Sequence, residues 1–208
     1  MTSRRSLLAT VPVLLALDGC ASASLWPQPP PQPELFTLDA GVPAAAPVTS
    51  PADGRSRPSL VVGAPRAAAG HDDARIAYQR RAQQIEYFAY ARWVDAPARM
   101  LAPLIVAALQ RSGAFASVVP AAAATTAELR LDTELVRLLH DFSTEPGRER
   151  LTLRATLIDA PRRRVLATRE FDVVEGVVSP DPYGGVIAAQ RAVQRLLVEL
   201  VDFCAPAR

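Results

Sequence analysis

QIEYFAYARWVDAPARMLAPLIVAALQRS, residues 84–112, decides how this chain folds. Its first third reads as a strand. Gln84, Glu86 and Arg92 are polar on one parity, while Ile85, Tyr87, Ala89, Ala91 and Trp93 share the other. That is a period near two, and Phe88 and Tyr90 break it in the way expected where both faces are partly covered. Asp95 then stands where it can cap a helix, with Pro97 in the first turn. Met100, Leu101, Leu104, Ile105, Ala108 and Leu109 recur at three and four, the stripe of a helix lying on a core. Leu104 sits mid-stripe and is expected to be buried. Ser112-Gly113 closes the helix. Phe115 to Val119 reads as the next strand, which gives a β-α-β unit.

Downstream, an alanine-rich loop, 120–126, leads into three strands. Leu129, Leu131 and Leu135 alternate with Arg130, Asp132 and Glu134. Val136 and Leu138 reverse that phase, so a bulge is expected near Leu135. Ser143 to Arg148 holds Pro146-Gly147 and turns the chain. Leu151, Leu153, Ala155 and Leu157 then alternate with Thr152, Arg154 and Thr156. Arg162-Arg163-Arg164 falls in the following turn, a solvated hairpin tip. Val165, Ala167, Phe171 and Val173 alternate with Thr168, Glu170 and Asp172. One polar and one apolar face per strand marks an antiparallel meander covered on one side. The final helix opens at Asp181-Pro182 and runs on Val186, Gln190, Val193, Leu197 and Leu200 until Pro206.

Upstream lie a short strand, Glu34 to Asp39, a loop or disordered insertion over 40–58, and strands at Leu60 to Ala64 and Arg75 to Gln79. These three strands are expected to form the first edge of the sheet. Together the elements predict an α+β two-layer sandwich: a mixed, largely antiparallel sheet with two main helices packed on one face. The other face would carry Arg130, Asp132, Glu134, Thr152, Arg154, Thr156, Thr168, Glu170 and Asp172. Short, mixed-charge side chains of this kind suit a wet protein contact better than burial of an acyl chain.

The first nineteen residues read as a targeting segment. Arg4 and Arg5 make a charged n-region, and the apolar run Leu7 to Leu17 is too short to span a bilayer. Ser3-Arg4-Arg5-Ser6-Leu7-Leu8 fits a twin-arginine signal as well as an ordinary n-region. Leu17-Asp18-Gly19-Cys20 resembles a lipobox, with Cys20 as the residue that takes the lipid; Asp18 departs from the usual residue at minus two. The alternative is a stray cysteine at the end of a signal peptide. Residues 20–33 follow as a tether, expected to hold the folded domain off the membrane as a semi-rigid stalk. Pro27, Pro29, Pro30, Pro31 and Pro33 favour polyproline geometry, at about 3.1 Å per residue. Residues 34–205 are expected to be the folded domain. Ala21 gives no inner-membrane retention aspartate, which points to the outer membrane, with the inner membrane as the alternative.

Composition narrows the chemistry. The 208 residues carry a formal charge of +2 with both signs interspersed, so concentrated phosphate binding to nucleic acid is not expected. Two cysteines, Cys20 and Cys204, cannot build a disulfide framework, and His71 and His140 are isolated. No metal site and no cofactor are expected. The sequence holds no P-loop, G-x-S-x-G or H-E-x-x-H. Gly184-Gly185 could be an anion nest at a helix N-terminus, but it lacks the lysine and hydroxyl of a P-loop and reads rather as a plain helix-entry turn. Trp93 beside Arg92 could stack a ligand or sit in the core. Candidate partner-binding residues are Arg92, Trp93, Glu134, Arg154 and Tyr183; no catalytic residue stands out.

RWVDAPARMLAPLIVAALQRSGAFASVV resembles the central segment of the ABC-type transport auxiliary lipoproteins, in the PqiC-like group. The Phe36-Thr37-Leu38 strand, ELRLDTELVRL and the helix opened by Asp181-Pro182-Tyr183-Gly184-Gly185 fit at matching positions. The resemblance spans roughly residues 34–204. It implies a non-enzymatic, membrane-anchored periplasmic lipoprotein. Its partners would be an MCE-domain protein, a permease and an ATPase of an ABC system moving lipids across the cell envelope. Self-association stands beside these. Two other readings remain open: an assembly or structural lipoprotein unrelated to transport, and a periplasmic enzyme with its site scattered in sequence.

Overall fold

In the computed structural model, residues 31–41, 56–123 and 126–205 are described. The targeting segment, Cys20, most of the tether and most of the loop expected at 40–58 lie outside the described residues. The chain divides into two units, Met1–Pro31 and Gln32–Arg208, and every described element belongs to the second. In order these elements are β1 (Glu34–Phe36), β2 (Ser59–Val62), β3 (Arg66–Ala67), β4 (Arg75–Arg81), β5 (Gln84–Trp93), α1 (Pro97–Arg111), β6 (Ser117–Pro120), β7 (Leu129–Asp141), β8 (Arg148–Asp159), β9 (Arg164–Gly176) and α2 (Pro182–Cys204).

One sheet contains all nine strands, and β7 is its spine. Along one edge β7 pairs antiparallel with β8 from Leu129↔Asp159 to Asp141↔Arg148. Its other edge is shared end to end by three short parallel strands. Leu60 to Val62 pair with Leu129 to Leu131, Arg66 and Ala67 with Glu134 and Leu135, and Tyr78 and Gln79 with His140 and Asp141. Beyond them, β6 flanks β2, β5 flanks β4, and β1 flanks β5. β9 completes the antiparallel meander on the far side. The class expected from the sequence, a mixed and largely antiparallel sheet under two helices, is the class observed.

Three local expectations change. β2 is an inner strand between β6 and β7 rather than part of the first edge, because parallel bonds to β7 on one side and to β6 on the other satisfy both of its edges. β5 and β6 are not a β-α-β pair. β5 runs antiparallel to β4, and β4, β7, β2 and β6 are mutually parallel, so α1 joins two antiparallel strands with three others between them. The tight hairpin at Ala82-Gln83, with Gln83 at φ 68°, already commits β5 to β4. Third, the parity of β5 is not uniform. The β4–β5 register shifts between Arg75 and Ala77. Ile85 and Ala89 therefore face solvent, whereas Ala91 and Trp93 are buried. The phase change in β7 falls where expected, between Leu135 and Arg137.

The core lies between the helices and one sheet face. Leu131, Leu135, Leu138, Leu151, Leu153, Ala155, Phe171 and Val173 meet Val186, Ala189, Ala192, Val193, Leu196, Leu197 and Leu200 of α2. The two helices differ at their starts. In α2, Asp181 accepts a hydrogen bond from Gly184 N–H at 2.7 Å, the expected cap. In α1 the capping position is Ala96, which offers no side-chain acceptor. Asp95 stands one residue too early; it accepts from Ala96 N–H at 2.7 Å and pairs with Arg99 instead. α1 is therefore held by packing more than by its start. Leu101, Ile105 and Leu109 are wholly buried, and Leu104, expected at the stripe's centre, is only partly buried at its margin. Ile105→Ala should lower the unfolding free energy by about 2–5 kcal/mol, as for a fully buried aliphatic side chain. Leu104→Ala should cost clearly less, and urea denaturation of the two variants checks the order.

Candidate partner-binding surfaces

The sheet face away from the helices carries a ladder of polar cross-strand pairs. Register sets it: Glu134 stands opposite Arg154, and Arg154 opposite Glu170. The Arg154 guanidinium donates to Glu134 at 3.0 Å and to Glu170 at 2.8 Å, bridging three strands. Thr152 donates to Asp172 at 2.8 Å, Thr168 to Thr156 at 3.3 Å, and Arg130 pairs with Asp132 at 2.8 Å. All the residues expected on this face point to it, although Thr152 is buried there. Arg154, Glu134 and Glu170 remain between a third and a half exposed. Exposed pairs of this kind add little to stability, because water and salt screen them. They leave a flat, charged surface that a complementary one can dock on.

The remaining candidates are not gathered at that ladder. Arg92 is exposed on β5, with β4 and β7 between it and β8. Tyr183 is 63% exposed in the first turn of α2. Trp93 is corrected: at 2% exposure it belongs to the core with Ala91 and Phe36 and is closed to any partner. Its place on β5 beyond the register shift turns it toward the helices.

A second feature escaped the sequence reading. Beyond the start of α2, Tyr78, Arg80, Phe88, Phe142 and Pro180 line an open cleft of about 360 Å³. The rings of Tyr78 and Phe88 stand 4.4 Å apart, and the Arg80 guanidinium lies 5.3 Å from the Tyr78 ring centre. Tyr78 donates its hydroxyl to Glu86 at 2.9 Å, and that bond holds the phenol above its ordinary pKa. The lining thus offers apolar faces and a guanidinium, a recess suited to binding a side chain.

Behind the cleft sits a buried titratable pair. His140 on β7 and Glu149 on β8 are register partners, 1% and 0% exposed, with Nε2 3.2 Å from Oε2. Their four polar side-chain atoms have no well-formed hydrogen bond among the described residues. Burial lowers the His140 pKa to about 4 and pushes the Glu149 carboxyl well above the carboxylate range. Both effects have one cause: a charge in this dry site would lose its hydration. Both shifts favour the uncharged form of each partner. The α2 backbone presses on it from above. A Cβ added at Gly185 would overlap the His140 ring, so this glycine is what lets helix and imidazole share the space. Gly184-Gly185 was the available signal, read from the sequence as a nest or helix start. Nothing in Arg148-Glu149-Arg150 marked its central glutamate as buried.

Among the described residues no three His, Cys, Asp or Glu side chains gather as a metal site. Cys204 is a buried free thiol, its pKa raised by burial to about 12. No helix among the described residues is long and apolar enough to cross a membrane.

A family model described as "ABC-type transport auxiliary lipoprotein component" matches residues 36–201. Among solved structures, protein XCC0632 from Xanthomonas campestris superposes with a TM-score of 0.67 at 24% identity, covering 80% of this chain and 92% of that one. An uncharacterized protein superposes at 0.63 with 12% identity, covering 83% and 98%. At these identities both likenesses concern the fold. No curated protein matches the chain by sequence.

The buried pair generates a pH prediction. In the unfolded chain Glu149 ionises near its ordinary 4.5, but in the native state it stays protonated to much higher pH. Above 4.5 the native state holds the extra proton, so stability falls as pH rises. His140 acts in the opposite window: between 6.5 and about 4 the unfolded chain takes the proton, and stability falls as pH falls. Glu149→Gln removes only the first dependence. Its stability relative to the wild type should therefore climb as pH rises above about 4.5. Chemical denaturation across that range checks it; an ion pair at neutral pH would instead make the variant weakest there.

Proposed function

The chain belongs to the ABC-type transport auxiliary lipoprotein family, and from that premise we propose that it is a lipid-anchored, non-enzymatic component of an MCE-type ABC system moving lipids across the cell envelope. The observation that carries this reading is the family match over 36–201 downstream of Leu17-Asp18-Gly19-Cys20. In this reading residues 1–19 are removed, Cys20 becomes the acylated N-terminus, 20–33 form the tether and 34–205 the working domain. A single acyl chain anchors only marginally, so stable attachment needs several on Cys20. The anchor sits in the outer membrane, facing the periplasm.

The domain works by holding other proteins: the MCE-domain protein, the permease and ATPase, or further copies of itself. Its docking face is the polar ladder around Glu134, Arg154 and Glu170, with Tyr183 as a separate exposed aromatic at the start of α2. The apolar face of the sheet is already filled by α1 and α2, which leaves the domain's interior without room for an acyl chain. An assembly lipoprotein unrelated to transport would use the same face, and the identity of the captured partners separates the two.

Two measurements test this reading. Labelled palmitate should enter the wild-type chain and not Cys20→Ala; equal labelling of both would remove the anchor from the account. Arg154→Glu and Glu134→Lys should weaken capture of the transporter components from membrane extracts while leaving the thermal midpoint nearly unchanged, because exposed ion pairs contribute little to folding. Unchanged capture by both variants would reject the ladder as the docking face.

A further inference from the structure

Four exposed side chains collect at the end of the sheet where the folded domain begins. In β5, Ala91 and Trp93 lie in the core at 2% exposure, Arg92 between them points away from it, and Tyr90 and Val94 on either side are exposed. In β1, Leu35 stands in register with Arg92, on the same face. Val94 continues the ladder by donating its N–H to Phe36 O at 2.8 Å. Leu35, Tyr90 and Val94 are 65%, 60% and 50% exposed. They form a cluster of two aliphatic side chains and one phenol around a guanidinium.

We propose that Leu35, Tyr90, Arg92 and Val94 are a membrane-contacting patch, seated on the headgroup region of the bilayer that holds the anchor. The proposal rests on the reading that Cys20 is acylated. Its chemistry is that of the bilayer interface. Tyrosine places its ring among the headgroups with its hydroxyl in water. Arginine reaches phosphate with parallel N–H donors, and short aliphatic side chains enter the upper acyl region. Arg92 has no ion pair among the described residues, only an attraction to Asp73, whose carboxylate is already held by Arg75. The guanidinium can therefore take a lipid phosphate without breaking a bond.

Chain length supports this occupant. Thirteen residues separate Cys20 from Glu34 (34 − 20 − 1 = 13), a reach of at most about 45 Å. The tether ends at β1, next to Leu35, so the patch lies at its point of attachment. The patch is too small to act as a stable protein interface alone, which takes roughly 20–30 residues a side. Beside an anchor it needs little affinity, since the anchor raises the local lipid concentration to the millimolar range or above. The anchor in turn gains from a second contact.

The test places an indole in the patch: Tyr90→Trp, with Val94→Trp as a second position and Val198→Trp, exposed on α2, as the control. Full-length acylated chain is mixed with vesicles of phosphatidylethanolamine and phosphatidylglycerol, with and without brominated acyl chains. Each emission is compared with the parent chain. A membrane patch predicts loss of the added emission at 90 and 94 on brominated vesicles and none at 198. The same variants on a Cys20→Ala background should show the same loss only at much higher lipid, and Arg92→Glu should reduce it further. Quenching with both backgrounds alike would fault the acylation and keep the patch. Emission at 90 and 94 that stays unquenched at saturating lipid overturns the proposal. Self-association that hides these indoles from lipid, and that Arg92→Glu abolishes, overturns it in favour of a second copy.

Discussion

Every structural feature of the domain depends on both edges of β7 being filled. A thirteen-residue strand in mid-sheet exposes main-chain donors and acceptors on both sides, and each buried one must find a partner. β8 satisfies one edge without a gap apart from the bulge after Leu135. On the other edge β2, β3 and β4 line up in succession, so a long run of sequence, 59–81, is laid along β7 in three pieces. That arrangement draws β6 and β5 to the outside and forces α1 to span the sheet between them. It also brings Arg130, Asp132 and Glu134 onto the same face as the polar side chains of β8 and β9. The polar face follows from register, not from any one motif.

How much of this was legible in the sequence depended on which interactions are local. Alternation in Leu151, Leu153, Ala155 and Leu157 predicts β8 directly, since period two is a property of one strand. Asp181-Pro182 predicts the start of α2 because a cap acts within three residues. The phase break at Val136 predicts the bulge. The failures are non-local. Which strand fills the second edge of β7 is a matter of pairing across tens of residues, so β2 was assigned to the wrong place. Ile85 faces solvent while Trp93, on the same parity, stays in the core, because pairing with β4 shifts the register of β5. Asp95 missed the capping position by one residue, the usual scale of error at a helix end.

The candidate site was legible to the same extent. The ladder of Glu134, Arg154 and Glu170 could be read from alternation, and so it could be expected before the strands were paired. The His140–Glu149 pair could not. Its burial needs β7, β8 and the first turn of α2 together, and the sequence shows only a lone histidine, a glutamate between arginines and two glycines. Once assembled, the pair explains the glycine at 185 in the first turn of α2: any side chain there would meet the imidazole. The aromatic cleft beside it is assembled in the same way, from β4, β5 and the segments that follow β7 and β9. The buried imidazole stands 5.8 Å from the Phe88 ring and 6.3 Å from the Phe142 ring, directly behind the cleft.

The central claim is that this domain serves transport by binding proteins on its polar face, with its apolar face consumed by its own helices. Native mass spectrometry of residues 34–205 tests it most directly. No lipid should be retained: the domain should fly as a lipid-free oligomer, or as a lipid-free complex when the MCE-domain component is added. A phospholipid held stoichiometrically inside a monomer would contradict it, because the space between sheet and helices would then be a carrier cavity and not a closed core.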